Sequence, residues 1–494
     1  MGIDIDRDQF DDADYAAFVP QLARGLEALR ALLRRPGFGV GAQSIGAELE
    51  FSLIDAEARP KPVARDVLAR ALDPHVALEI DRFNLEYNAE PQKLAGAPFS
   101  AMADELTRAL SSLEAAAVAC DARMAAIGIL PTLRQEDLDS SAMNDVMRFR
   151  ALSNGLRRLR AAEFRVEIDG EDALRTTCDD VTLEGANTSF QLHLRVDPDE
   201  FARTFNAAQL AVAPILAVST NSPILLEHRL WDETRVALFG QAVDYRMEGP
   251  GWRPSRVSFG HGWVRDGAAE LFAESVHLHS PLLPVTTGEN ATATVERGGV
   301  PELTELRLHH GTVWSWNRAV YDTADGGHLR IELRALPSGP SVPDMVANAA
   351  ALIGLTLGLA READWMIPAM PFRLAHDNFY RAAQHGPDAV LLWPNREPPS
   401  PLAYRAKDLV PKLLPLARRG LVEAGVDEAE ADRHLGLIER RVAAGASGSA
   451  WQRRSLAALE ARLGRRAALA AMLEQYVERS RGGRPVHEWE VAAP

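Results

Sequence analysis

The sequence is poor in cysteine, in lysine and in long apolar runs. Among 494 residues there are two cysteines, Cys120 and Cys178, which give neither a disulfide framework nor a metal-ligand spacing. Lysine occurs four times, so arginine supplies 50 of the 54 basic residues. The longest apolar stretch, near residues 345–360, contains Asn348 and is shorter than the ~20 residues of a membrane span. It therefore predicts a buried helix.

The sequence also lacks several features that are typical of common classes of protein. The formal net charge of −15 argues against a nucleic-acid-binding surface, because affinity for phosphates depends on clustered cations. The acidic N-terminal stretch lacks the basic-then-apolar form of a signal peptide, so we expect a cytoplasmic protein with no membrane partner. No G-x-x-x-x-G-K-[ST], G-x-G-x-x-G or G-x-S-x-G motif occurs in a suitable context. Any bound nucleotide must be held by other means.

The most informative stretch is LRIELR, residues 329–334. Read as a β-strand, it places Leu329, Ile331 and Leu333 on one face, and Arg330, Glu332 and Arg334 on the other. A single strand of this kind is typical of a sheet with one solvated face.

The same alternation recurs in three other segments, which favours a shared polar hollow. GAELEF (residues 46–51) places Glu48 and Glu50 on one face, and FQLHLRV (190–196) does the same for Gln191, His193 and Arg195. The extended segment 79–90 contributes Glu86, Asn88 and Glu90. If these strands share one sheet, their polar faces line one cavity.

Such a cavity would combine several carboxylates, one imidazole and several guanidinium groups. Like charges 4 Å apart repel by about 4 kcal/mol at an effective dielectric of about 20, so clustered carboxylates require cations. Oxygen-rich sites without thiolates suit Mg²⁺ or Mn²⁺ better than zinc, and arginines suit phosphate or a substrate carboxylate. His193 is either a metal contact or a satisfied structural residue. The pattern predicts a metal-nucleotide or metal-phosphate centre.

The remaining chain predicts helices around this sheet and a helical C-terminal region. We expect an N-terminal helical segment (1–39), a catalytic domain (40–378) and a C-terminal helical region (379–494) that serves packing or oligomerisation. Apolar spacing predicts individual helices near residues 20–35, 99–126, 142–164, 201–220, 407–424, 428–444 and 455–479.

Six motifs occur in order along the chain: GAELEF, NLEYNAEP, SFQLHLRV, NSPIL followed by Arg235, GTVWSWNR and LRIELRALPSGP. In this order they resemble the glutamate–cysteine ligase family, within the glutamine-synthetase-like superfamily. The resemblance covers roughly residues 40–375. It implies an α+β fold with a curved, mainly antiparallel sheet, helices packed outside, and metal ions that bridge the ATP phosphates on the concave face.

The resemblance also implies roles for individual residues. The expected Mg²⁺ ligands, with Mn²⁺ as an alternative, are Glu48, Glu50, Glu79, Glu86, His193 and Glu332, and Asp81 could replace Glu79 after a small register change. Arg334 matches the arginine that faces the transferred phosphoryl group, and Arg235 matches one near the substrate carboxylates. Residues expected to contact the nucleotide are Arg330, Arg334 and Gln191.

The implied activity is an ATP-dependent carboxylate–amine ligase. ATP would phosphorylate the substrate carboxylate, with glutamate as the expected acid, and an amine, by default cysteine, would displace the phosphate. A ligase for a different amine and a catalytically silent nucleotide- or amino-acid-binding relative are the alternatives. A homo-oligomer is compatible with the sequence.

Overall fold

The computed structural model describes residues 5–160, 162–246, 252–397 and 399–492. The α-helices in this part of the chain, α1 to α16, are Asp12–Leu33, Ala64–Ala71, Pro98–Val118, Met147–Arg160, Thr182–Gly185, Phe201–Ala217, Thr234–Ala242, Ala268–Leu278, Ala291–Glu296, Thr304–His310, Val342–Ala369, Phe372–His385, Ala406–Glu423, Glu428–Ala443, Gly448–Leu463 and Arg465–Arg481. The strands, β1 to β16, are Ser44–Ile54, Val76–Leu78, Asn84–Asn88, Gln92–Lys93, Arg123–Ala125, Phe164–Asp169, Ala173–Cys178, Phe190–Val196, Ile224–Leu225, His228–Arg229, Val257–Ser258, Trp314–Ser315, Asn317–Asp322, His328–Leu333, Val390–Trp393 and Leu402–Arg405.

The main sheet is a curled, antiparallel half-barrel of eight strands, which confirms the predicted α+β class. Its strand order is β13-β14-β8-β1-β3-β2, and β4 and β5 also pair with β1. Strand β1 is therefore central. Its register places Glu48 opposite both Asn88 of β3 and Gln191 of β8, and places Glu50 opposite Glu86.

The strands beyond β8 continue the same polar face. In β14, Glu332 lies opposite His193 of β8, and Arg318 of the edge strand β13 lies opposite Glu332 on the other side. Because residues directly opposite on antiparallel strands point to the same face, this register gathers residues that are far apart in sequence.

The other face of the sheet is apolar and buried under helices. Leu49, Leu194 and Ile331 have no exposed surface. Helix α11 contacts β8 and packs between α6 and α13. It is long and apolar enough to cross a membrane, but most of it is buried inside the protein, so it is a core helix as the sequence predicted.

Several predicted helix boundaries are wrong. The first helix begins at Asp12, eight residues before Pro20, because the Asp11 side chain accepts hydrogen bonds from the Ala13 and Asp14 amides. The helix predicted over 99–126 ends at Val118, and the chain then forms β5, which pairs with β1. Gly464, in the left-handed region at φ 75°, divides the last predicted helix into α15 and α16.

Two β-hairpins were not predicted. Strands β6 and β7 pair where the sequence suggested the end of a helix, and β15 and β16 pair within the region expected to be all helical. The alternating burial of β6 is visible in the sequence FRVEID, of which the predicted helix over 142–164 included only Phe164.

The C-terminal helices contact the loops that follow the sheet strands. The Asn221 Nδ2 donates to the hydroxyl of Tyr476 in α16 (2.7 Å) and to the Ser338 carbonyl (2.7 Å). The Tyr476 hydroxyl in turn donates to the Ala126 carbonyl (2.8 Å). Gln452 of α15 donates to the Asn221 side-chain oxygen at 2.9 Å. These contacts cross the domain boundary predicted at residue 378.

Deletion of the chain from residue 400 onward is expected to make the protein insoluble or aggregated. The deletion would uncover the face of α11 that packs against α13 and would remove Tyr476 from its buried hydrogen bonds. Size-exclusion chromatography of the soluble fraction tests this. A truncated protein that remains folded and monodisperse would contradict a structural role for these helices.

Candidate active site

The concave face of the sheet carries two groups of side chains that could each hold a metal ion. One is Glu50, Glu79 and Glu86, called here the carboxylate triad. The other is Glu48, His193 and Glu332, called the histidine triad. In each triad one ligand atom per residue lies within 4.8 Å of the other two. The triads are neighbours, because Glu48 and Glu50 are successive residues on the same face of β1.

Ion pairs hold the histidine triad, which spans the neighbouring strands β1, β8 and β14. The Nε2 atom of His193 lies 3.0 Å from Glu48 Oε1 and 3.9 Å from Glu332 Oε1. The guanidinium of Arg318 donates two hydrogen bonds to Glu332, of 2.6 and 3.0 Å. Arg334 approaches the same carboxylate at 3.4 Å. Two cations therefore balance the charge of Glu332.

Nearby charged groups favour the ionised forms of the two carboxyl groups in this triad. Burial disfavours the charged form of Glu332, but Arg318 and Arg334 outweigh it and hold the pKa of this carboxyl far below its usual range. Burial also opposes ionisation of Glu48, yet the neighbouring His193 lowers the pKa of Glu48 overall. Both carboxylates are ionised at neutral pH.

Neutral donors, rather than cations in direct contact, surround the carboxylate triad. Glu50 accepts hydrogen bonds from the Ser189 amide (2.7 Å), the Ser189 hydroxyl (2.9 Å) and the Gln191 amide group (2.7 Å). Glu86 accepts one from Asn88 at 2.7 Å. Among the described residues, no arginine or lysine forms an ion pair with this triad.

Burial without a contacting cation raises the pKa values of all three carboxyl groups. Burial raises the pKa of Glu86 to about 8, and the charges of Glu48 and Glu50 add to this effect. Burial raises the pKa of Glu79 well above its usual value, with further contributions from Glu86 and Glu50. The pKa of Glu50 is also raised by burial, although Ser189 and Arg334 partly offset it. Without a metal ion, Glu86 therefore holds a proton at pH 7 that a bound cation would replace.

This protonation predicts that metal-free protein loses stability between pH 7 and pH 8. A carboxyl group whose pKa is higher in the folded chain contributes stability that is fully present below its unfolded pKa and is lost as pH rises through the folded value. With a folded pKa of about 8, Glu86 contributes a loss on the order of 1 kcal/mol over this interval. Thermal melting in EDTA at the two pH values measures it.

Two comparisons make this pH test specific. Burial lowers the pKa values of His279, His309 and His310, so these residues lose protons only in the unfolded chain and add a small gain in stability toward pH 8 that is the same in wild type and in a Glu86 variant. In Glu86→Gln the decline should be shallower, and Mg²⁺ should raise the melting temperature of wild type more at pH 8 than at pH 7. An equally steep decline in Glu86→Gln would contradict the assignment.

Of the two candidates for the second-segment ligand, the structure brings Glu79 close to Glu50 and Glu86, and not Asp81. Glu79 lies within reach of Glu50 and Glu86, whereas Asp81 belongs to neither triad. Asp81 is fully buried against Gly185, where a Cβ atom would come within 2.6 Å of its carboxylate. Neither carboxylate oxygen of Asp81 has a hydrogen-bond partner among the described residues, and burial raises its pKa well above the usual value.

The predicted nucleotide contacts lie on the same face, between and beside the triads. Gln191 connects them, because it donates to Glu50 and accepts a hydrogen bond of 2.6 Å from Arg334. The Nε atom of Arg334 is buried and has no partner in the described parts of the chain. Arg330 lies on the same face of β14, two residues before Glu332, and pairs with Asp322 at 2.7 Å.

Arg235, like Arg330, is a predicted residue whose contacts do not include any residue of the two triads. Its guanidinium is buried, pairs with Glu233 at 2.7 Å, and donates to the Ala335 carbonyl at 2.6 Å. Ala335 directly follows Arg334, so Arg235 fixes the chain at the end of β14. Its role near a substrate carboxylate stays a prediction.

Three residues near the triads were not identified as site residues from the sequence. Arg318 forms an ion pair with Glu332. Glu184 is close enough to Glu50 and Arg334 for their charges to affect its pKa. The charges of Arg318 and Glu79 likewise affect the pKa of Arg148 in α4. The alternation in NRAVYD could have identified Arg318. Spacing alone could not select Arg148 from the other arginines of α4, and α5, which carries Glu184, is only four residues long.

The donor set fits divalent cations that prefer oxygen ligands. The carboxylate triad offers three carboxylates with too little positive charge nearby, and the histidine triad offers two carboxylates and one imidazole. These are ligands that Mg²⁺ and Mn²⁺ accept, and no cysteine is among them. The Nε atom of Arg334 and the Nδ1 atom of His193 are buried without a hydrogen-bond partner among the described residues, so they are available to bound groups or water.

Comparison with solved structures identifies the fold. A glutamate–cysteine ligase from Francisella tularensis in complex with AMP aligns over 92% of this chain and 91% of its own, with a TM-score of 0.55 and 11% identity. A bifunctional glutathione synthetase from Pasteurella multocida aligns over 93% of this chain and 55% of its own, with a TM-score of 0.47 and 12% identity. The first likeness shows that this chain shares the fold of that glutamate–cysteine ligase.

The sequence itself identifies the family. It matches the family described as Glutamate-cysteine ligase family 2 over residues 44–475, so the chain belongs to this family. The match includes both triads and extends through most of the C-terminal helices. A search of curated protein sequences found no match.

Proposed function

We propose that the protein is an ATP- and Mg²⁺-dependent ligase that joins a carboxylate to an amine. The observation that carries the proposal is the pair of adjacent triads on one sheet face, one rich in uncompensated carboxylates and one bordered by Arg318 and Arg334. Two neighbouring cation sites with arginines beside them suit a polyphosphate chain. Family membership supports the same class of reaction.

The residues of each triad would have separate tasks. Glu50, Glu79 and Glu86 would hold one Mg²⁺, and Glu48, His193 and Glu332 a second. Bound Mg²⁺ supplies charge neutralisation for phosphoryl transfer. Arg318 and Gln191 keep Glu332 and Glu50 in fixed orientations through their hydrogen bonds.

Arg334 is the proposed electrostatic group for the transfer itself. Gln191 and Glu332 fix its guanidinium on the polar face, where it can neutralise charge that develops on the transferred γ-phosphoryl group. Transfer to a substrate carboxylate gives an acyl phosphate, and attack by the amine releases phosphate and forms the amide. The reaction needs no protein nucleophile, so Cys120 and Cys178 have no assigned role.

Glutamate, through its γ-carboxylate, is the proposed acid, and cysteine is the default amine. The family supports these substrates, and a ligase for a different amine is the variant of the proposal to be tested. The cytoplasm is the proposed location, since Cys120 and Cys178 are unpaired thiols.

The experiment is a screen for ADP release with ATP, Mg²⁺, glutamate and a panel of amines. ADP release that requires both glutamate and one amine, and that stops in EDTA, supports the proposal and identifies the amine. Release with other acids would correct the acid. No release with any pair, despite measurable ATP binding, would overturn the catalytic assignment in favour of a silent nucleotide-binding relative.

A further inference from the structure

The backbone around Glu79 is the least regular part of either triad. Strand β2 ends at Leu78 and β3 begins at Asn84, so Glu79 lies in the connecting turn. All the other triad residues lie within β1, β3, β8 and β14, where the pairing of the strands fixes the direction of their side chains. Something other than the sheet must therefore hold Glu79 toward Glu50 and Glu86.

The segment 142–144, which leads into α4, holds this turn at four points. The Asn144 side-chain Nδ2 donates to the carbonyls of Glu79 (2.7 Å) and Asp81 (3.0 Å). The Asn144 main-chain amide donates to the Ile80 carbonyl at 2.7 Å, and the Arg82 amide donates to the Ala142 carbonyl at 2.7 Å. One asparagine therefore contacts three consecutive carbonyls of the turn.

Asn144 has no other evident task in the described parts of the chain. It is buried, at 1% exposure, and its side-chain oxygen has no hydrogen-bond partner there. A buried amide that leaves one of its atoms unsatisfied is costly, so the two bonds from Nδ2 must offset that loss. Its position three residues before α4 also links the Glu79 turn to the helix that carries Arg148.

We propose that Asn144 is a positioning residue for the carboxylate triad, and that only one of the two cation sites depends on it. The inference rests on the metal-binding part of the proposed function. Without the Nδ2 donor, the turn loses two of its four hydrogen bonds, and the Glu79 carboxylate must be ordered when the cation binds. Removal of a group that orients a metal ligand commonly weakens metal affinity about 10- to 100-fold.

The test is titration of the full-length protein with Mn²⁺ in the absence of nucleotide, followed by calorimetry and by the electron paramagnetic resonance signal of free Mn²⁺. Wild type should bind two ions. Asn144→Ala should bind one of them about 10- to 100-fold more weakly and the other with unchanged affinity. Asn144→Ser, which keeps one donor, should lie between the two and serves if the alanine variant folds poorly.

Asn378 offers a matched control. It is equally buried, its Nδ2 donates to the Leu392 carbonyl at 2.7 Å, and its Oδ1 accepts from the Leu392 amide at 2.8 Å, in α12 and β15. Asn378→Ala should reduce the melting temperature and leave both Mn²⁺ affinities unchanged. A purely structural role for Asn144 would give that same result.

A double variant shows whether Asn144 acts through Glu79. Glu79→Gln alone should weaken the same ion, and addition of Asn144→Ala should then have little further effect, because the group it positions no longer binds. Additive losses, or an Asn144→Ala protein with both wild-type affinities, would overturn the inference while the proposed function stands. Failure of folded wild type to bind any Mn²⁺ would instead overturn the metal model on which both depend.

Discussion

Replacement of Glu332 with glutamine is expected to reduce ADP release by about 10²–10³-fold, the usual effect of removing one preorganised electrostatic contact. Glutamine preserves the volume and one acceptor oxygen but removes the negative charge that faces His193 and the proposed cation. The rate of ADP release at saturating substrates measures the effect. Near-full turnover in the folded variant would show that the concave face with the two triads is not the active site.

The same substitution is expected to destabilise the protein, which the sequence alone did not indicate. As an exposed strand residue, Glu332 would tolerate the change at about 1 kcal/mol or less. In the structure it is buried and accepts two hydrogen bonds from Arg318, and breaking a buried ion pair costs about 3–5 kcal/mol. Thermal melting should therefore show a clear decrease in stability together with the catalytic loss.

A control separates these two effects. Asp344 forms a buried ion pair with Arg441 at 3.3 Å, between α11 and α14 and outside both triads. Asp344→Asn should show a comparable decrease in melting temperature but retain turnover when assayed well below its melting temperature. If it also loses ADP release, the loss in Glu332→Gln cannot be assigned to the site.

Removal of divalent cations is expected to weaken ATP binding by about a hundredfold and to abolish ADP release. Without cations, the phosphates would face the charges of Glu48 and Glu332, and the carboxylate triad would offer no attraction. Calorimetric titration of ATP in EDTA and in excess Mg²⁺ measures the difference. Equal affinity under both conditions would rule out a metal-bridged nucleotide.

Two further arms make the chelation experiment conclusive. The melting temperature in EDTA at pH 7 should show that the metal-free protein is folded, and restored Mg²⁺ should recover the original affinity. In Glu50→Gln and Glu86→Gln, each with one triad carboxylate neutralised, recovery should require more Mg²⁺ than in wild type.

The sequence predicted those parts of the site that lie within regular strands. A period of two along β1, β8 and β14 placed Glu48, His193 and Glu332 on one face without knowledge of the pairing. The register that brings Glu332 opposite His193 depends on strand order, which local patterns do not encode. The resemblance to a family implied only that these strands share one curved antiparallel sheet.

The features that could not be predicted from the sequence depend on tertiary contacts or on segments too short to show a pattern. The turn around Glu79 has no period, and its hydrogen bonds come from residues 142–144. Arg148 belongs to a helix whose inward face could not be chosen from a run of arginines. The helix expected over 99–126 extended too far, since a strand of three residues, β5, is too short for an alternation to show.

The central position of β1 has a consequence for biosynthesis. The strand leaves the ribosome before β8 and β14, both of which must be synthesised before its polar face can be completed, and α16 must follow before the Tyr476 hydroxyl can donate to the Ala126 carbonyl. Contacts between residues so distant in sequence are slow to form, because the entropy of large loops is lost before the contacts are gained. Until then, nascent chains expose the apolar face of an unfinished sheet. We therefore expect the yield of active protein to depend on chaperones and on slow synthesis at low temperature more than on the intrinsic stability of the finished fold.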